Sequence, residues 1–119
     1  MDRQFVVPHE DEFIQELGIE LEGAHSGGSE TVRQVTLDLG PDDHVVFSFD
    51  VTGMSVRFRR VTSGTVLTDI YREAATRLSI GWAGESRQFV TEFNTDSLAG
   101  RLVITVGHSV EILDHMLFV

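Results

Sequence analysis

Residues 44–61 constrain the fold most. His44, Val45, Val46, Phe47, Ser48, Phe49, Asp50 and Val51 run into Thr52, Gly53 and Met54, and Ser55, Val56, Arg57, Phe58, Arg59, Arg60 and Val61 follow. Two β-branched and aromatic runs around a glycine-centred connection specify a β-hairpin. Side chains alternate across a pleat, so Val56 and Phe58 share one face while Ser55, Arg57 and Arg59 share the other. In the first arm Phe47, Phe49 and Val51 oppose Val46, Ser48 and Asp50. One face of the hairpin suits a core and the other suits water.

The same signals recur along the chain. Val35, Leu37 and Leu39 alternate with Gln34, Thr36 and Asp38, and residues 40–43 (Gly-Pro-Asp-Asp) form a turn by composition. From Thr76 onward the pattern is β throughout: a strand at 77–80, a turn at 81–86 carrying Trp82, and a return over 88–93. An apolar central strand follows at 101–106, then a turn at 107–109 and a last strand from Val110. Residues 65–78 carry two patterns. Leu67, Ile70, Tyr71, Ala74 and Leu78 form a helical stripe, whereas Thr65, Val66, Thr68, Ile70 and Tyr71 suit a strand that closes a hairpin at Ser63 and Gly64. The surrounding hairpins favour a strand over 65–72 with a bend near Ala74 and Ala75.

One short helix is predicted from His9 to Leu17. Glu10, Asp11 and Glu12 suit its positive end, Phe13, Ile14 and Leu17 supply its stripe, and Gly18 stops it. Phe13 and Leu17 should face the sheet, with Glu12 and Glu16 outward. Residues 19–22 alternate like a short strand, and residues 23–30 form a Gly/Ser-rich tract, the best candidate for a mobile segment. With 119 residues, 41% hydrophobic and 24% charged, the chain is expected to form a single domain over residues 1–119. The expected architecture is mainly β: an antiparallel β-sandwich or curled sheet with a short N-terminal helix, or α+β if 65–78 is helical.

Composition excludes several chemistries. There is no cysteine, hence no disulfide, thiolate metal site or cysteine nucleophile. All nine basic residues are arginine, so side-chain Schiff bases and lysine-dependent phosphate loops are absent. The five histidines (His9, His25, His44, His108 and His115) show no metal-ligand spacing. No G-x-S-x-G elbow or nucleotide fingerprint is present. No catalytic residue, metal or cofactor is implied.

Charge is the one outward feature. The formal net charge is −10. Residues 1–50 hold twelve acids against Arg3 and Arg33, while residues 51–119 hold seven acids against seven arginines. Such a field disfavours nucleic acid and anionic membranes and steers a basic protein toward the first half. Glu10, Asp11, Glu12, Glu16, Glu20 and Glu22 are the candidate partner-binding residues. Arg57, Arg59 and Arg60 form the one basic cluster, expected to lie on an exposed sheet face or to guard an edge strand, and to pair with the acidic N-terminal half of the chain.

The sequence has no signal-peptide pattern and nothing near the ~18 apolar residues of a membrane helix, which predicts a cytoplasmic location. No motif names a family. In general character the chain resembles many small acidic proteins of GC-rich bacteria, and immunity proteins that neutralise basic toxins share that character. The leading expectation is therefore a non-enzymatic interaction protein, immunity-protein-like or an adaptor, docking on a basic partner. The alternatives are a small ligand-binding protein or hydrolase with His44 or His108 in a sandwich pocket, and a structural homodimer through the C-terminal strand.

Overall fold

The computed structural model describes residues 4–23 and 31–118. Nine antiparallel strands form two sheets, each a simple meander. The first sheet comprises β1 (Glu22–Gly23), β2 (Val32–Gly40), β3 (Asp43–Asp50), β4 (Ser55–Thr62) and β5 (Thr65–Glu73), in that order. The second comprises β6 (Arg77–Ala83), β7 (Ser86–Asn94), β8 (Leu98–Val106) and β9 (Val110–Phe118). Between β5 and β6 the chain passes from the first sheet to the second at residues 74–76, where Ala74 adopts a left-handed φ of 65°. This is the mainly-β sandwich predicted from the sequence.

Period-two patterning builds the core. Val35, Val45, Phe47, Phe49, Val56 and Phe58 from the first sheet meet Phe89, Phe93, Leu102, Ile104 and Val106 from the second. Phe47 and Phe89 stack across the interface with ring centroids 4.8 Å apart, inside the range at which offset rings attract. The β3–β4 hairpin has the expected register, with Phe47 opposite Phe58 and Ser48 opposite Arg57. Val51 departs from expectation: it lies in the turn beyond β3 and is exposed.

Residues 65–73 are strand. Ser63 and Gly64 both take positive φ, 49° and 78°, the combination that a tight hairpin turn of the twist-matching kind requires. That turn and the cross-strand pairs Arg57 with Tyr71 and Phe58 with Ile70 outweigh the helical stripe. Trp82 belongs to β6 rather than to a turn, because the β6–β7 connection is only Gly84 and Glu85. Alternation over 19–22 yields less strand than expected: only Glu22 and Gly23 pair, with Gln34 and Arg33. Residues 5–7 contribute a single bridge, Val6 to Arg77.

The N-terminal helix starts as α1 (Glu10–Glu12) and continues as one wider π-helical turn over Phe13–Leu17. It ends at Gly18, which has a φ of 66°. Phe13 and Leu17 are fully buried while Ile14 is exposed. Phe13 stacks on Phe49 at 5.8 Å, so the helix closes one end of the sandwich. Opposite the bridge to β6, the edge strands β5 and β9 are joined by an ion pair between Arg72 and Asp114. The C-terminal strand expected to be a dimer edge is an edge of the second sheet, with Leu113 and Leu117 exposed. No helix among the described residues is long and apolar enough to cross a membrane.

Candidate protein-interaction site

Four of the six candidate acids, Glu10, Asp11, Glu12 and Glu16, lie on the helix, and Glu20 lies on the segment that leaves it. All six are exposed. Glu22 is separate from the helical group. It occupies β1, opposite Gln34, and by strand parity shares the outer face of the first sheet.

The helix that carries the acids is held at both ends. At its start, the His9 imidazole accepts a hydrogen bond from the Asp11 N–H at 3.2 Å, and the His9 N–H donates to the Glu12 carboxylate at 3.4 Å. This reciprocal arrangement satisfies two of the amides that a helix start leaves open. At its end, Trp82 donates its indole N–H to the Glu16 carbonyl at 2.6 Å, and Arg87 donates to the Leu17 carbonyl at 3.0 Å. Trp82 and Arg87 are opposite each other on β6 and β7. The guanidinium stacks over the indole, 5.0 Å from its centroid. A helix of one or two turns has too few internal bonds to be stable alone. Burial of Phe13 and Leu17, together with the Trp82–Arg87 clamp, therefore fixes the acids in space. The local pattern around Trp82 gives no sign of this role, because the helix end it holds is 66 residues away in sequence.

None of the six acids meets an arginine among the described residues; only Asp11 approaches a basic group, His9, at 3.5 Å. Arg77 shares a shallow hollow with Glu12 and Glu16 without forming an ion pair. The arginines of the basic cluster are committed elsewhere. Arg57 grips Asp69 through two hydrogen bonds of 2.8 and 2.7 Å, and Arg59 approaches the same carboxylate at 3.8 Å. Arg60 forks onto Asp43 at 3.2 and 3.0 Å, with Thr62 donating to that carboxylate at 2.9 Å. The basic cluster thus pairs within the chain, but only Arg60 meets an acid of the first half, Asp43, as expected; Arg57 and Arg59 turn to Asp69 on the neighbouring strand instead.

These contacts perturb three carboxyls. Asp43 is held below the ordinary carboxylate range by Arg60 and then Thr62, and Asp69 by Arg57. Asp50 is lowered by the Gly53 N–H and the Thr31 hydroxyl in the hairpin turn. A carboxyl with a depressed folded-state pKa contributes stability above its unfolded value, near 4, and loses it as pH falls through the folded value. Thermal melts between pH 7 and pH 2 should therefore show a midpoint that drops below about pH 4. Asp43→Asn should melt lower at neutral pH and lose less on acidification; a parallel drop in both proteins would refute the role of Asp43.

His44 is not in a sandwich pocket. Strand parity turns Val45 into the core and His44 outward, so the interior is filled by phenylalanine. His44 instead lines a hollow of about 460 Å³ on the outer face of the first sheet, with Ser48, Arg57, Arg59 and Tyr71. His108 is exposed in the β8–β9 turn, and His115 is exposed on β9, facing away from Asp114. His25 and the Gly/Ser tract at 24–30 lie outside the described residues. No group of three or more metal-ligating side chains occurs among the described residues.

No family model and no curated protein matches the chain. Its structure is similar to that of a chain in the contact-dependent growth inhibition toxin–immunity protein complex from Klebsiella pneumoniae 342. The TM-score is 0.74, over 94% of this chain and 96% of that one, at 16% sequence identity. At that identity the likeness is one of fold: the two chains share their architecture from end to end.

Proposed function

We propose that this protein is a non-enzymatic binding protein of the immunity type, which neutralises a basic protein partner by docking on it. The residues assigned to the contact are Glu10, Asp11, Glu12, Glu16, Glu20 and Glu22. The observation that carries the reading is that all six are exposed and none meets an arginine among the described residues, while Arg57, Arg60 and Arg72 are held by other acids. Unmatched surface charge on a clamped element is the arrangement that steers an oppositely charged partner and fixes its orientation. The full-length fold likeness to a member of a toxin–immunity complex supports a role in a protein–protein complex.

The test is kinetic. A partner captured at low salt with the tagged chain is purified, and its association is followed by stopped flow at several salt concentrations. Replacing the six acids by Gln or Asn should slow association by roughly 10- to 1,000-fold at low salt and flatten the salt dependence. An unchanged salt slope rejects the assignment.

Self-association through β9 is a second reading, favoured by the exposed Leu113 and Leu117 on that edge. An unguarded apolar edge strand is a template for pairing with another copy. Light scattering at rising concentration should then give twice the chain mass, and Leu113→Arg should restore the monomer. A monomer at all concentrations removes this reading.

A further inference from the structure

The outer face of the first sheet holds a second feature that the charge argument does not use. Cross-strand register aligns Glu22, Gln34, Ser48, Arg57 and Tyr71 in one row across all five strands. The next row places Val46 opposite Arg59 and Arg59 opposite Asp69. Of these rows, Gln34, Val46, Ser48, Arg57, Arg59 and Tyr71 line the hollow of about 460 Å³. Two guanidinium groups therefore stand in one concavity and share a single carboxylate.

The sharing is unequal. Arg57 takes both oxygens of Asp69. Arg59 is left with a 3.8 Å approach from its Nε, which makes no hydrogen bond, while its side chain stays 42% exposed. An arginine held by so long a contact keeps donors for another acceptor, and a planar guanidinium fork is shaped for a bidentate carboxylate. The acid that lines the hollow, Asp50, is engaged by Gly53 and Thr31 at its far end. Diagonally across from Arg59, Tyr71 is half exposed (51%). Exposed tyrosine beside arginine in a concavity is the composition of an interface anchor.

We propose that this hollow is a carboxylate-binding site, in which Arg59 takes the side chain of one Asp or Glu from a protein partner and Tyr71 packs over it. A guanidinium that shares its carboxylate without a hydrogen bond matches one further carboxylate, while the net charge of −10 opposes a polyanion such as nucleic acid. The site is separate from the acids on the helix and takes the opposite charge, although Glu22 stands at the far end of the same row, three strands from Arg57.

The test uses the isolated protein and a short probe, so it does not depend on whether the helical acids dock on anything. Acetyl-Gly-Glu-Gly-amide is titrated into labelled protein at low salt, and the arginine Nε–H and tyrosine ring signals are followed by NMR. The Arg59 Nε–H signal is assigned by its loss in Arg59→Gln. Expected is a saturable shift of the Arg59 Nε–H and the Tyr71 ring. The corresponding Gln peptide should leave both unmoved. Arg59→Gln should weaken the response at Tyr71 by roughly tenfold or more, while Arg101→Gln on the other sheet leaves it intact. Retained amide dispersion confirms that each variant is folded. The proposal is overturned if the Glu and Gln peptides act alike, if the response survives Arg59→Gln, or if inorganic phosphate binds as tightly as the Glu peptide, which would mark a general anion site.

Discussion

Phe47→Ala lowers the free energy of unfolding by about 3–5 kcal/mol. Phe47 is 2% exposed, sits in the central strand of the first sheet and stacks on Phe89 of the second. Its removal deletes the contact that joins the two sheets at their middle and leaves a cavity lined by rings that cannot collapse into it. A domain of this size has about 5–15 kcal/mol in total, so the loss takes a large share of it. Urea denaturation monitored by tryptophan fluorescence measures it, since Trp82 reports on the sandwich end. A loss under 1 kcal/mol would mean that the sheets do not pack through this pair. Phe47→Leu, which keeps most of the volume, should recover much of the loss.

The second large effect is at Gly100. It lies in β8 opposite Phe93 and Met116, with a φ of 154°. A Cβ placed there would overlap the His115 carbonyl oxygen and lie 2.8 Å from the Met116 Cα. Both are backbone atoms, which no rotamer change can move aside. Gly100→Ala should therefore cost about 3 kcal/mol, through overpacking and an unfavourable backbone conformation together. The damage is local in origin: β9 must shift away from β8. Hydrogen exchange should show the amides around His115 and Met116 opening first, and the Arg72–Asp114 link between the sheets should weaken with them. A variant with native exchange rates along β9 would contradict the close approach.

Much of this was legible in the chain. Alternation in residues 32–40, 43–50 and 55–62 named the buried face correctly, because a pleat sends successive side chains to opposite sides whatever else the strand packs against. Phe13 and Leu17 were identified as the buried face of the helix for the same kind of reason, one helical turn apart. The exposure of Glu12 and Glu16 followed. Residues 65–73 were harder, because their apolar residues fit a helical stripe and a strand equally; Ser63 and Gly64 decided the matter by setting a turn that only a hairpin can use. Trp82 was placed in a turn because Gly81 and Gly84 flank it, yet the ladder with β7 runs past it to Ala83.

What the sequence determined by itself was the class of fold and the lopsided distribution of charge, since both depend on the order of residues along the chain and on nothing farther away. The tertiary structure decided which charges are spent. Arg57 meets Asp69 across one strand pair, Arg72 meets Asp114 across the gap between sheets, and Trp82 and Arg87 reach back to the carbonyls of Glu16 and Leu17. Pairings of that kind are fixed by strand register and by the way two sheets face each other. The hollow that gathers Arg57, Arg59 and Tyr71 exists only once the strands of the first sheet are assembled.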